Sequence, residues 1–475
     1  MRDRLVAQGS RKWLVLATTS IATLLGTSDY SIVNIAFPLL TGVFSAETST
    51  VVWVALAYQL AFVGLVLPMG RLGDQFGRRR VFIAGLLIYS IGMLLAASAQ
   101  DVSQLIASRA LQGAASAATA ALSAALVTSA FPSHERGKAL GVLAAIAALG
   151  LMAGPALGGV LLDTLGWRSI FYVRAPLGFL GVVAAWVFLE KDATVAGDRR
   201  LDLSGSAALF LAMCALTLGV NRAAQQGWAS PQILGLLTAG SVLLLAFYWL
   251  EVKGSSPVID LRIFKSGTFA IGGGLLLLST SLMAALSFIL PFYLMGAKLF
   301  SASTSGLILL ASPAVMLLVA PISGRLSDRN GPNLLTSLGL LLSSSGFFLA
   351  SLLSIDSPVT LIVAFLILIA IGGALFATPN QSALLGAAVP ERLGTVSAVI
   401  PALRYVGLVI GLAAVEAIFA AIVTGAGQTS SVLTGDPVQR QVIVRGMAVA
   451  LRVFGAVGVL MLGLAIVGAR MRRGR

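Results

Sequence analysis

Roughly fourteen apolar runs follow one another along this chain, each able to cross a hydrocarbon core that takes about 20 residues per helix. They begin near Trp13, Val51, Val81, Gln104, Lys138, Arg168, Leu203, Gln232, Thr268, Thr304, Asn333, Pro358, Gly394 and Arg445. No soluble core can bury that many. With 58% hydrophobic and 11% charged residues, the chain lies far below the charge content of soluble domains, about a quarter of residues. The expected fold class is an all-α integral membrane protein.

The net charge of +14 would indicate nucleic acid if the basic residues formed one patch with interleaved aromatics, which they do not. They occupy alternate connections instead. Placing the N-terminus in the cytoplasm puts roughly 23 of the 32 Lys and Arg on that side, the positive-inside bias. Both termini are therefore expected in the cytoplasm, with anionic lipid headgroups as counterions. Arg2 and Arg4 ahead of an apolar run imitate a signal peptide, but the run is too long and leads into Asp29 and Asn34, so a retained first helix is expected. Cys214 is the single cysteine, which rules out an internal disulfide.

The chain also repeats itself. The charged turn Gly70-Arg71-Leu72-Gly73-Asp74-Gln75-Phe76-Gly77-Arg78-Arg79-Arg80 returns as Gly324-Arg325-Leu326-Ser327-Asp328-Arg329-Asn330-Gly331. Glu135-Arg136 returns as Glu391-Arg392, and Gly150 and Gly154 as Gly407 and Gly411, all about 255 residues later. A six-helix bundle over residues 1–190, two inserted linker helices within 191–267 and a second six-helix bundle over 268–475 account for that separation: two pseudo-symmetric halves and fourteen transmembrane helices.

An ionisable group in mid-span costs roughly 2.5 to 3.5 kcal/mol on insertion scales, so each requires a reason. The candidates are Asp29, Arg109, Arg174, Arg404, Glu416 and Arg452. Counting from the helix ends puts Asp29 roughly 13 Å deep and Arg109 roughly 8 Å deep, close enough for the long Arg side chain to bridge. Such a carboxylate can load and release a proton, or serve as a static packing pair with Arg109. Glu416, roughly 11 Å deep in the other half, is a second proton or cation site, or is neutralised by a neighbour such as Arg452. Arg174 and Arg452 can reach toward headgroups.

Gly150, Gly154 and Gly158, with Pro155 and Gly159, form a bare ladder on which another helix can slide or seal. In the charged turn, Gly70 and Gly73 allow the chain to pack tightly and bend, Asp74 is expected to cap a helix start, and Arg78 and Arg79 stay cytoplasmic; Gly70, Asp74, Gly77, Arg78 and Arg79 are the expected gating residues, with Asp328 and Arg329 as the second latch. Tyr30, Asn34, Tyr58, Gln112, Phe288, Phe292 and Asn380 are candidate cargo contacts, the aromatic ones equally explained as packing. One His, His134 in a loop, and one Cys make no metal set, and no Gly-Lys-Ser/Thr phosphate loop provides for ATP, so no cofactor is expected.

Together these motifs resemble the major facilitator superfamily, and the fourteen-span count resembles its drug:proton antiporter branch. Gly70, Leu72, Asp74, Gly77, Arg78 and Arg79 match the family's motif between helices two and three, with Gln75 in place of a usual Arg. Asp29, Asn34 and Pro38 match its first-helix motif; Arg109, Gln112 and Gly113 its helix-four motif; and Gly150, Gly154, Pro155, Gly158 and Gly159 its helix-five antiporter motif. Arg174 stands where that branch commonly has Asn. The resemblance implies a proton-driven, monomeric exporter of lipophilic, cationic or multidrug cargo in a bacterial plasma membrane, with Asp29, Arg109 and Glu416 in proton coupling. The same chassis also suits export of one specific lipid, antibiotic metabolite or sugar-like molecule. A membrane-embedded enzyme or receptor is the third reading, and scarce catalytic groups count against it.

Overall fold

The computed structural model describes residues 2–132, 134–190, 203–253, 263, 266–386, 393–426 and 436–473, which are helical or in short turns, with no strand among them. Fourteen long helices among the described residues carry the architecture. The first half comprises α1 (Arg2–Asn34), α2 (Thr48–Phe76), α3 (Arg78–Ser98), α4 (Val102–Ala130), α5 (Arg136–Leu165) and α6 (Ser169–Phe188). The linker pair is α7 (Leu203–Gln226) and α8 (Pro231–Lys253). The second half comprises α9 (Gly267–Ala297), α10 (Ala302–Arg329), α11 (Pro332–Ala350), α12 (Val359–Gly386), α13 (Leu393–Gly425) and α14 (Pro437–Arg473).

Thirteen of the helices are long and apolar enough to span a bilayer among the described residues; α1 is the exception. Its apolar content is diluted by hydroxyls that fold back on their own helix. Thr18 donates to Leu14 O at 2.8 Å, Thr23 to Thr19 O at 2.9 Å and Thr27 to Thr23 O at 2.8 Å. With those donors satisfied internally, a polar helix can sit among apolar ones at little cost.

The packing repeats with an offset of eight helices. α1 packs on α4, α5 and α6 as α9 packs on α12, α13 and α14; α3 packs on α4 and α6 as α11 packs on α12 and α14. The contacts between halves, α5 with α10 and α2 with α13, map onto each other under the same offset. The turns joining α2 to α3 and α10 to α11 pivot on Gly77 (φ 102°) and Gly331 (φ 78°), a backbone region open mainly to glycine. The linker pair is not set aside from the core: α7 packs against both α2 and α13.

Three expectations lie at or beyond the edge of the described residues. The break at 190/191 borders residues 191–202, the repeated Glu391-Arg392 falls in 387–392, and the middle of the loop between α13 and α14 falls in 427–435.

Candidate functional site

The first half is built around a buried charge cluster. Gly113 of α4 lies so close to the Tyr58 backbone of α2 that any side chain would collide with it. That approach lets Arg109, one helical turn away, donate from Nε to Val54 O at 3.0 Å. Its Nη1 lies 2.6 Å from Asp29 Oδ2 and also bonds Gln112 Oε1. From α6, Arg174 donates through Nη2 to Asp29 Oδ1 at 2.6 Å and through Nε to Ile170 O at 2.6 Å. Arg109 stacks 4.5 Å from the Tyr58 ring centroid, and Tyr58 donates to Ser116 Oγ at 2.8 Å. Asp29 is 0% and Arg109 1% exposed. One carboxylate between two guanidiniums gives the cluster a formal charge of +1; removing Asp29 would strand two buried guanidiniums, whereas removing either Arg leaves a neutral ion pair.

Arg174 therefore does not reach for headgroups. Its side chain turns inward because Asp29 supplies a second, otherwise unfilled oxygen. Arg452 is exposed, with Nε 3.4 Å from Ser351 Oγ, and Arg404 is exposed as well. Glu416, 0% exposed, is met by a residue of the linker: Asn221 Nδ2 donates to its Oε2 at 2.6 Å.

Starting one residue along α1 from Asp29, at Tyr30, side chains of both halves line a cavity of about 100 Å³. Tyr30, Ser31, Asn34, Leu151 and Pro155 line it from α1 and α5, and Met283, Leu286, Ser287, Leu290, Ser312 and Met316 from α9 and α10. No charged side chain lines it. Tyr30 Oη and Asn34 Oδ1 are buried without hydrogen-bond partners. Of the expected cargo contacts, Tyr30 and Asn34 are here. Tyr58 and Gln112 belong to the charge cluster, and Asn380 Nδ2 ties α12 to Gly272 O of α9 at 3.0 Å. Phe288 and Phe292 join Phe37 and Phe419 in an aromatic plug that crosses the halves, with ring centroids 4.9 to 5.7 Å apart between successive partners.

The ladder on α5 divides its duties. Gly150, Gly154 and Gly158 take Thr27, Ser31 and Ile32 of α1 in the space a side chain would fill, while Gly159 takes Ala302 of α10. Pro155 in turn lies against Gly306. Four residues on from Gly159, Asp163 accepts Ala302 N–H at 3.0 Å and Ser303 N–H at 2.7 Å, capping α10 and closing the end of the molecule away from the termini. The charged turn at the other end behaves differently from expectation. Asp74 sits in the last turn of α2 rather than at a helix start, because Gly77 occupies the cap; it pairs with Arg78 at 2.8 Å. Gly70 lies against Ala121 of α4, and Arg79 bonds Trp186 O of α6, so these contacts stay inside the first half. Asp328 and Arg329 are exposed.

Asn221, Asp163, Trp53 and Tyr405, whose ring stacks on Phe62 at 3.9 Å across the halves, were not among the expected site residues. A neutral amide in an apolar run and an acid at a helix end escape a search restricted to mid-span charges.

Two homologous halves, a buried charge cluster and a cavity between them define a membrane transporter rather than an enzyme. The comparisons agree. The Major Facilitator Superfamily pattern matches residues 19–412, and the chain belongs to that family. It is 33% identical over 415 residues to the riboflavin transporter RibZ of Clostridioides difficile, covering 87% of this chain and 90% of that one. It is 31% identical over 443 residues to the multidrug resistance protein Stp of Mycobacterium tuberculosis, covering 90% and 80%. The cephamycin export protein CmcT of Amycolatopsis lactamdurans is 32% identical over 423 residues, covering 88% and 86%. In fold, the chain superposes on a bacterial homolog of the human lysosomal transporter Spinster with a TM-score of 0.74 at 16% identity, over 97% of each chain.

Proposed function

We propose that this protein is a proton-coupled antiporter that exports lipophilic small molecules by alternating access, with its termini in the cytoplasm. The observation that carries the reading is the position of Asp29: buried between Arg109 and Arg174, one residue along α1 from Tyr30 in the wall of the inter-half cavity. A proton that neutralises Asp29 frees both guanidiniums and loosens α1 from α4 and α6. That couples charge at the cluster to the shape of the cavity. Exchange of states requires cargo and proton to bind them unequally, and the membrane potential contributes about 2.3 kcal/mol per charge per 100 mV.

Cationic multidrug cargo remains the leading class, through competition with the guanidiniums for Asp29. A specific uncharged molecule is the second reading, favoured by a cavity lined by Tyr30, Ser31, Asn34, Ser287 and thioethers without a charge. Purified protein in liposomes with an internal pH reporter tests both. Proton release driven by lipophilic cations supports the first; response to a neutral cargo alone supports the second. Transport by Asp29→Asn at the original rate and pH dependence would end the coupling role of Asp29.

A further inference from the structure

Glu416 is buried in the outer half of α13, one turn from Phe419 of the aromatic plug, and its Oε1 has no hydrogen-bond partner among the described residues. Its Oε2 accepts from Asn221 Nδ2 at 2.6 Å, and Asn221 Oδ1 accepts from Trp53 Nε1 at 2.9 Å. The chain of bonds crosses three parts of the molecule: α2 of the first half, α7 of the linker pair and α13 of the second half. Trp53 also precedes Val54, whose carbonyl receives Arg109. Adjacent residues of α2 thus connect, through one intermediary each, to Asp29 and to Glu416.

The chemistry of Trp53 decides which way the amide faces. An indole N–H can only donate, so Asn221 must turn its oxygen to Trp53 and its nitrogen to Glu416. A carboxylate and a carboxylic acid both offer an acceptor at Oε2, so this bond survives a change in protonation. Oε1 is left as the oxygen that differs between the two states.

The other ionisable groups on helices packed against α13 are engaged elsewhere or exposed. Tyr58 donates to Ser116, Tyr293 to Ser354 O, Arg440 to Ala297 O and Arg452 to Ser351, while Arg222 and Arg445 are exposed. Cys214 lies about two turns down α7 from Asn221. Glu47, at the start of the outer turn of α2, is the charged neighbour whose field bears on Glu416, with the same sign.

We infer that the linker pair belongs to the proton machinery: Asn221, oriented by Trp53, is the positioning residue that holds Glu416 Oε2 as a permanent acceptor and makes Oε1 the atom that takes up the proton. The step adds a proton from water to Oε1 and its reversal returns it; no other bond changes. The inference rests on the proton-coupled reading of the transporter.

Infrared difference spectroscopy of the full chain in lipid vesicles, stepped in pH, reads the carboxylic C=O stretch without any cargo. A protonated-carboxyl band lost in Glu416→Gln, shifted to higher wavenumber in Asn221→Ala and split or broadened in Trp53→Phe supports the inference. The Trp53→Phe variant keeps the amide but frees it to rotate, so it decides the matter should Asn221→Ala fail to fold. A Glu416 band that stays in place and undivided in the variants overturns the positioning role. No band assignable to Glu416 overturns it as well and removes Glu416 from the coupling scheme, whereas proton-driven export through Asp29 is decided separately by liposome flux.

Discussion

Asp29 and Glu416, two buried acids in opposite halves of the molecule, are handled in opposite ways. Asp29 has a guanidinium at each oxygen, 2.6 Å from both. Glu416 has a neutral amide on one oxygen and, among the described residues, no partner on the other. The scaffold repeats under an offset of eight helices, but Asp29 lies on α1, the counterpart of α9, and Glu416 on α13, the counterpart of α5, and among the described residues no guanidinium pairs with Glu416. The lesson is that duplication preserved the helix scaffold and not the charges: the first half holds its acid by ion pairing, and the second borrows a neutral partner from the inserted pair.

Four changes break or sharpen that contrast. The largest effect is expected from Asp29→Asn, which leaves two buried guanidiniums without a carboxylate; losing one partner of a buried ion pair costs about 3 to 5 kcal/mol. The chain should still insert, its thermal unfolding midpoint should fall, and proton-driven efflux in liposomes should drop to the leak rate. Arg174→Met comes next. Asp29 keeps Arg109, so the loss is that of one charge-assisted bond, about 1 to 3 kcal/mol, seen as a smaller fall in the same midpoint. An unchanged midpoint would mean that Arg174 is not a member of the cluster.

Glu416→Gln should cost less than about 1 kcal/mol, because an amide oxygen still accepts from Asn221. A loss as large as that of Asp29→Asn would erase the distinction between the two acids. The smallest effect belongs to Glu135, a part-exposed acid at the terminus end that serves as the surface reference. Lys12 donates a hydrogen bond to it, holding its carboxyl below the usual carboxylate range. What stability this lends is present above about pH 4 and is lost as the pH falls through the lowered value. Glu135→Gln should therefore lower the neutral-pH midpoint by the smallest amount of the four, as expected of a surface pair, and the two proteins should converge in acid.

Much of this is legible in the sequence. Residue counting brought Asp29 and Arg109 to reachable depths because a helix rises by a constant amount per residue, and the approach of Gly113 to Tyr58 gives a physical reason for a glycine at that place in the helix-four motif. Arg174 was misread because its distance from a helix end is the same whether its long side chain points to lipid headgroups or inward; only a vacant oxygen on Asp29 decides. Asp74 was misread because a charged turn bounded by glycines does not reveal on which side of the pivot each residue falls. Asn221 was missed because a neutral amide carries no insertion penalty large enough to demand a partner, and its partner lies 195 residues away.

The sequence by itself determined that this chain lives in a bilayer, that it is built twice over with a pair of helices between, and that Asp29 and Glu416 are the acids needing an explanation. Periodicity, hydropathy and desolvation cost are properties of a residue and its near neighbours. Tertiary structure alone decided which partner each acid received, and that the inserted pair touches the second of them. Those outcomes depend on which faces of distant helices meet, and hydrogen bonds of less than 3 Å are settled by rotations about helix axes that no linear pattern records.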